Sequence, residues 1–208
     1  MKAYSNVKGT SVLMGFFAFL ISYQGLAQPK WIRATYRDDP STTISIGWSG
    51  AAGTLYYDTI NHGTNYAAYA NSKIVDRSTS HKSESHFFVR LTNLQPATVY
   101  YFTVESGGAA LASYHFQTLS DDSNQPLSFI SGGDSRKDLS FLGIGDPPCW
   151  GNGCRETRRD LNTIIAKIRP DFIAFTGDYI RNNDIIFVVD SEDDWRDWFD
   201  DWDFTVAA

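Results

Sequence analysis

Histidine is scarce in this chain and unevenly placed. The 208 residues hold four, His62, His81, His86 and His115, and none follows His115. No two of them share the i, i+4 spacing of a helical metal pair, so they read as ordinary strand or surface residues. Cysteine is scarcer still. Cys149 and Cys154 both lie within PPCWGNGC, and no second Cys or His pair is present to complete a zinc site. A local disulfide across that glycine-containing loop is the preferred reading for an exported chain, with a zinc half-site as the competitor. Excess positive charge is also missing. Lys and Arg number 18 against 24 Asp and Glu, a net charge of −6. The acids crowd the end of the chain, with eight acids and one Arg between Asp190 and Asp203. A nucleic-acid binder needs the opposite sign, and that class is excluded.

Long apolar runs are lacking everywhere except near the start. Lys2 and Lys8 lead into SVLMGFFAFLI (Ser11 to Ile21), and the small residues of Gly25-Leu26-Ala27 follow. This is the pattern of a signal peptide, residues 1–27, cleaved after Ala27. An uncleaved anchor is the alternative, but the run is shorter than the ~20 residues that span a bilayer. The expected destination is therefore periplasmic or extracellular, with no membrane span in the mature chain. About 180 residues then remain, enough for two small domains. A chain with 42% hydrophobic and 15% aromatic residues has the means to bury a core.

Two modules follow from the periodicity. In residues 28–118 short segments alternate apolar and polar positions. Ile44, Ile46 and Trp48 alternate with Ser45 and Gly47. Phe87, Val89 and Leu91 alternate with His86, Phe88 and Arg90, and Tyr100, Phe102 and Val104 continue the pattern. Period two marks strands buried on one face. Turn residues such as Ser49-Gly50, Asn61-His62-Gly63 and Gly107-Gly108 punctuate them. Many short strands without a helix predict an all-β sandwich. Tyr56, Tyr57, Tyr66 and Tyr69 are read as sandwich packing, with sugar stacking as the less favoured use. The segment Leu94-Gln95-Pro96-Ala97-Thr98-Val99-Tyr100 resembles the tyrosine corner of fibronectin type III domains, where the Tyr hydroxyl bonds back to the chain. That resemblance implies a fibronectin-like sandwich with Trp48 in its core.

Residues 119–208 change character. Leu127 to Ser131 is an apolar-leaning run ending in Gly132-Gly133-Asp134. Arg155 to Arg169 places Leu161, Ile164, Ile165 and Ile168 on one helical face, and Pro170 stops the helix. Asp171 to Thr176 is a second apolar run, ending in Gly177-Asp178. Strand, helix and buried strand predict a βαβ unit with parallel strands. Asp134 and Asp178 then stand at the carboxyl ends of neighbouring strands, the ligand-binding edge of such sheets. Parallel neighbours are about 4.8 Å apart, so the two carboxylates can share a metal such as Mg, Mn, Zn or Fe. Simple capping of the next element is the plainer use of each Asp taken singly.

The segments FISGGDSR (Phe129 to Arg136) and FIAFTGDYI (Phe172 to Ile180) resemble the first two motifs of calcineurin-like metallophosphoesterases. A fibronectin-like module placed just before them resembles the arrangement in purple acid phosphatases. The resemblance implies an all-β sandwich followed by the start of an α/β metallophosphoesterase domain. It also implies a binuclear metal centre with Asp134 on one metal and Asp178 bridging the pair, and a small phosphate ester as substrate. Arg136 stands where the family commonly has His or Gly, and is a candidate for a bidentate phosphate contact or for a structural salt bridge. Arg181 stands where the purple enzymes carry their metal-bound Tyr, so a colourless metal pair is implied. The family's Gly-Asn-His-Asp/Glu motif and later histidines are absent from these 208 residues. The expectation is an incomplete metal site and no significant phosphatase turnover by this chain alone. A non-catalytic extracellular binding or adhesion protein, working through the fibronectin-like module, is the alternative.

Finally, Ser191 and Asp194 resemble a capping-box start, with Trp195, Trp198, Phe199 and Trp202 at i, i+3, i+4 and i+7. This aromatic face is expected to pack against further parts of the domain, and the acids opposite it to be solvated.

Overall fold

The computed structural model describes residues 28–133, 135, 153–177, 179–180 and 191–207. Within the helices, side chains are described for 155–168 and 194–202. The predicted signal peptide, residues 1–27, and the Cys149–Cys154 pairing lie outside these residues.

Alternation of apolar and polar residues builds the first module as two antiparallel sheets facing one another. One sheet has the order β1 (Lys30–Thr35), β2 (Ile44–Ser49), β6 (Glu84–Leu91), β5 (Arg77–His81). The other has the order β4 (Asn71–Ile74), β3 (Thr54–Asp58), β7 (Val99–Ser106), β8 (Ala109–Ala110), with β9 (Tyr114–Gln117) also on β7. The predicted alternating residues enter the core, Phe87 only in part, and Leu55 and Phe116 join them. Ile44, Ile46, Trp48, Val89 and Leu91 from the first sheet meet Leu55, Tyr100, Phe102, Val104 and Phe116 from the second. Each large apolar side chain so buried contributes about 1.5–3 kcal/mol over its exposed state. Trp48, with no exposed surface, sends its indole N–H to the Ala51 carbonyl at 2.9 Å, so its one polar group is satisfied.

The tyrosine corner forms as the sequence predicts. The Gln95 amide donates to the Tyr100 hydroxyl at 2.9 Å, tying β7 to the turn before it. Thr118 reinforces the same corner, accepting from the Thr98 amide at 3.0 Å and donating to the Gln95 carbonyl at 2.6 Å. Of the four tyrosines, Tyr57 packs against the core and Tyr56 and Tyr66 are half-buried. Tyr69 is buried and bonds to the Gly63 carbonyl and Ser113, while Tyr56 lies against Tyr66.

The second module is small in described extent. β10 (Phe129–Gly132) and β11 (Phe172–Phe175) pair in parallel, with Phe129 opposite Phe172 and Gly132 opposite Phe175. Helix α1 (Gly153–Ile168) lies between them in sequence, and α2 (Ser191–Ala207) follows. The α1 helix ends with Arg169 at φ +52°, a left-handed residue where glycine is usual, just before Pro170. Among the described residues, no helix is long and apolar enough to cross a membrane.

The packing of the two helices departs from their apolar pattern, and for α2 from expectation. Of the four apolar residues on one face of α1, only Ile165 is buried. Leu161, Ile164 and Ile168 are each more than half exposed. The buried face of α1 is instead polar, carrying Arg158 and Asn162 beside Ile165, because this helix docks on α2 through ion pairs. Likewise the acids of α2 are not all solvated: Asp201 is buried. The α2 indoles find partners nearby. Phe175 meets Trp198 and Trp202 edge-on, and Tyr179 contacts Trp195 and Trp198.

The modules touch through β1 and α2. A bulge between Lys30 and Arg33 puts Trp31 at φ +55°, unusual for a bulky residue, and turns its side chain toward α2. There it stacks on Phe199 at 5.4 Å and donates its indole N–H to Asp200 at 2.6 Å. Arg196 reaches across to Ser83 at 2.8 Å.

Replacing Tyr100 by Phe removes the acceptor for the Gln95 amide without changing the packed ring. A loss of about 1–3 kcal/mol is expected, measured as a lower urea midpoint with unchanged slope. An unchanged midpoint would show that the corner bond contributes nothing.

Candidate metal centre

Local bonds lock the two strands side by side at both ends. At the start, Asp171 Oδ2 accepts from the Ser128 amide at 2.7 Å and its hydroxyl at 2.8 Å, while the Asp171 amide donates to the Ser128 carbonyl at 2.9 Å. Phe129 and Phe172 stack nearly parallel at 5.2 Å. At the carboxyl ends, the Thr176 amide donates to the Gly132 carbonyl at 2.7 Å and the Thr176 hydroxyl to the same oxygen at 3.0 Å.

Beyond that point the two chains come into backbone contact. A Cβ on Gly133 would sit 2.6 Å from Thr176 Oγ1 and 3.0 Å from the Gly177 carbonyl oxygen, so no side chain fits there. Gly177 takes φ +119°, which L side chains rarely adopt. The glycine before each aspartate therefore has a physical reason. One permits close approach, the other a sharp turn.

Asp134, Asp178 and Arg136 themselves lie outside the described residues. The close approach of Gly133 to Gly177 brings the residue before each aspartate to the same sheet edge. Among the described residues no group of three or more His, Cys, Asp and Glu is arranged to hold a metal. The histidines are scattered as expected. His62 lies 3.4 Å from Asp58, and His86 Nδ1 lies 2.7 Å from the Ser49 hydroxyl.

Sequence reasoning missed what braces this edge. Ser135, which follows Asp134, is held from two helices. Arg158 of α1 donates to its carbonyl at 2.6 Å, and the Trp198 indole of α2 donates to its hydroxyl at 2.8 Å. Both helices are in turn fastened at Asp201, whose side chain has no exposed surface. Arg155 donates to it at 3.0 and 3.3 Å and Arg159 at 2.7 Å. Arg158 forms a forked pair with its Oδ2. Asn162 adds a bond to the Asp201 carbonyl at 2.7 Å, and Arg155 also holds Asp197 at 2.5 Å. The signal was present: Arg155, Arg158, Arg159 and Asn162 sit at i, i+3, i+4 and i+7, facing an acidic helix with Asp197 and Asp201 at i, i+4.

Burial alone would raise the Asp201 pKa, but the hydrogen bonds and charges of Arg155 and Arg158 outweigh it and hold the carboxyl below its ordinary value.

With this geometry established, likeness to known proteins becomes informative. Residues 29–118 match the family model for the purple acid phosphatase N-terminal domain. The sandwich is accordingly similar to a domain of that type. The solved structure of PhoD is similar in fold, with a TM-score of 0.52 at 13% identity over 86% of this chain and 37% of that one. The chain thus spans little more than a third of that protein's length. The sensor domain of the anti-sigma factor RsgI4 from Pseudobacteroides cellulosolvens is a more distant likeness, with a TM-score of 0.34 at 16% identity over 48% of this chain and 96% of that one. No curated protein matches the chain.

Asp201→Asn should cost about 3–5 kcal/mol, because it leaves buried Arg158 without its counter-charge. The pH dependence has a definite sign. A carboxyl whose folded pKa is depressed contributes its full stability above its unfolded value of about 4, and loses it as pH falls through the folded pKa. Acid unfolding of the Asn variant should therefore be shallower than that of the parent. Identical profiles would remove Asp201 from the account.

Proposed function

We propose that this chain is the N-terminal part of an exported, metal-dependent phosphoesterase, with Asp134 and Asp178 as ligands of its metal centre. The observation that carries the reading is the backbone contact of Gly133 with Gly177 at the carboxyl ends of a parallel strand pair, immediately before the two aspartates. The purple acid phosphatase N-terminal domain in front of that pair supports it, as does the fold shared with PhoD across most of the chain. The proposed domain division is residues 28–118 for the sandwich and 119–208 for the start of the metallophosphoesterase domain.

A metal bound there supplies Lewis-acid polarisation of a phosphoryl oxygen and a nucleophile at neutral pH. The chain's own contribution is positional. Thr176 and Gly132 fix the separation of the strand ends. Arg158 and Trp198 hold Ser135, the residue next to Asp134. Arg136 is a candidate to orient a phosphate ester through its planar fork. Metal identity among Fe, Zn, Mn and Mg, and the choice between mono- and diesters, are properties of the completed site.

Titration calorimetry with Mn²⁺ tests the ligand assignment on the 208-residue chain. Asp134→Ala and Asp178→Ala should each weaken binding by about tenfold or more. Equal binding by the double variant would discard the assignment. The same chain should not turn over p-nitrophenyl phosphate significantly, and metal-dependent turnover would show its site to be complete. A non-catalytic binding protein, the alternative reading, should bind no metal at these aspartates.

A further inference from the structure

The outer face of the first sheet carries a feature that the metal centre does not use. Residues 28–118 contain seven basic residues. Five of them, Arg33, Arg37, Lys73, Arg77 and Arg90, line one open groove of 470 Å³ in which Asp76 is the sole acid. The groove crosses β1, β2, β6 and β5 and is floored by Gly47 and Phe88. Such crowding of cations is unexpected in a chain of net charge −6, since like charges packed together repel.

The five cations are unequally committed. Lys73 lies 3.4 Å from Asp76 and donates to the Arg90 carbonyl at 2.5 Å. Arg90 pairs with Asp38, outside the groove, at 2.6 Å. Arg33, Arg37 and Arg77 have no carboxylate partner among the described residues. Two of these are held in place by an aromatic ring: the guanidinium groups of Arg77 and Arg33 lie 4.4 and 5.2 Å from the Phe88 ring centre. The missing side chain at position 47 makes this possible. A Cβ on Gly47 would lie 3.1 Å from Arg33 Nε and 3.2 Å from both Arg33 Cζ and the Phe88 ring. Burial also pushes the Arg33 pKa down from its ordinary value, so an anion beside it would relieve an unfavourable charge.

We infer that this groove is a binding site for a small, phosphate-dense anion of the short polyphosphate class. Arg33 also donates to the Trp31 carbonyl at 3.2 Å and lies 5.5 Å from the Phe199 ring centre, yet three guanidinium groups without a carboxylate partner within one small groove call for a ligand carrying several charges over a short length. Each phosphoryl group of such a chain accepts the paired N–H donors of an arginine fork. The site is on the sandwich and independent of the metal-centre reading.

Calorimetry of the 208-residue chain with inorganic tripolyphosphate tests it, run with EDTA so that no metal contributes. Saturable one-to-one binding that weakens with added salt is expected. An Arg37→Gln/Arg77→Gln double variant should bind at least about tenfold more weakly, since two charge-assisted contacts are lost. Both side chains are exposed, so the fold is preserved. Gly47→Ala should weaken binding while keeping all five cations, by displacing Arg33. Asp134→Ala/Asp178→Ala should leave it unchanged. Unaltered affinity in the double arginine variant would overturn the proposal. So would equally tight binding of citrate at matched ionic strength, which would reduce the groove to an unselective patch.

Discussion

A buried carboxylate must be compensated, and Asp201 is compensated by three arginines that belong to a different helix. Removing one carboxylate from water carries a penalty of several kcal/mol, and only well-aligned partners repay it. Arg155, Arg158 and Arg159 do so from a single turn and a half of α1, which fixes both the rotation of that helix and its height against α2. The arrangement of the second module depends on this cluster. With α1 set by charge, its aliphatic residues have nowhere inward to go, and Leu161, Ile164 and Ile168 stay exposed. With α2 set, its indoles reach Phe175 and Tyr179 on one side and Trp31 on the other.

The same cluster bears on the candidate site through one residue. Arg158 spans from Asp201 to the Ser135 carbonyl, and Trp198 holds the Ser135 hydroxyl. Structural ion pairing and the candidate metal edge are therefore linked through Ser135. The sandwich reaches the same helices by another route. Its first strand bulges at Trp31, and the strained residue is held by stacking on Phe199 and a bond to Asp200. A bulge that aims an aromatic side chain at a neighbouring module is a reason for both the strain and the bulge.

Charge is partitioned in the same way as structure. Acids gather in the second module, where Asp197 and Asp201 hold α1, whereas cations gather on the outer face of the sandwich. Phosphate chemistry is proposed at both places, on different physical grounds. At the strand ends it rests on the close approach of the glycines before two aspartates, and in the groove on guanidinium groups without a carboxylate partner.

The sandwich was legible because its signal is local. Alternation at Ile44, Ile46 and Trp48 declares which face is buried before any partner is known, and the Leu94 to Tyr100 corner specifies a bond within seven residues. The parallel pairing of β10 with β11 was legible for a related reason, since two apolar runs separated by a helix leave few topologies. The α1 interface was not legible, because an amphipathic pattern says which residues are alike, not which face wins a partner. Arg158 and Asn162 are buried in place of Leu161 and Ile164 because an acidic helix lies opposite. The basic groove was equally invisible: Arg33, Arg37, Lys73, Arg77 and Arg90 are spread over 58 positions of sequence. Sequence by itself determined the strands, the corner and the two Gly-Asp steps, because each depends on neighbours within a few residues. Only the tertiary structure decided which charges meet, because charge pairing depends on distance through space, and that distance is set by sheet order and helix docking.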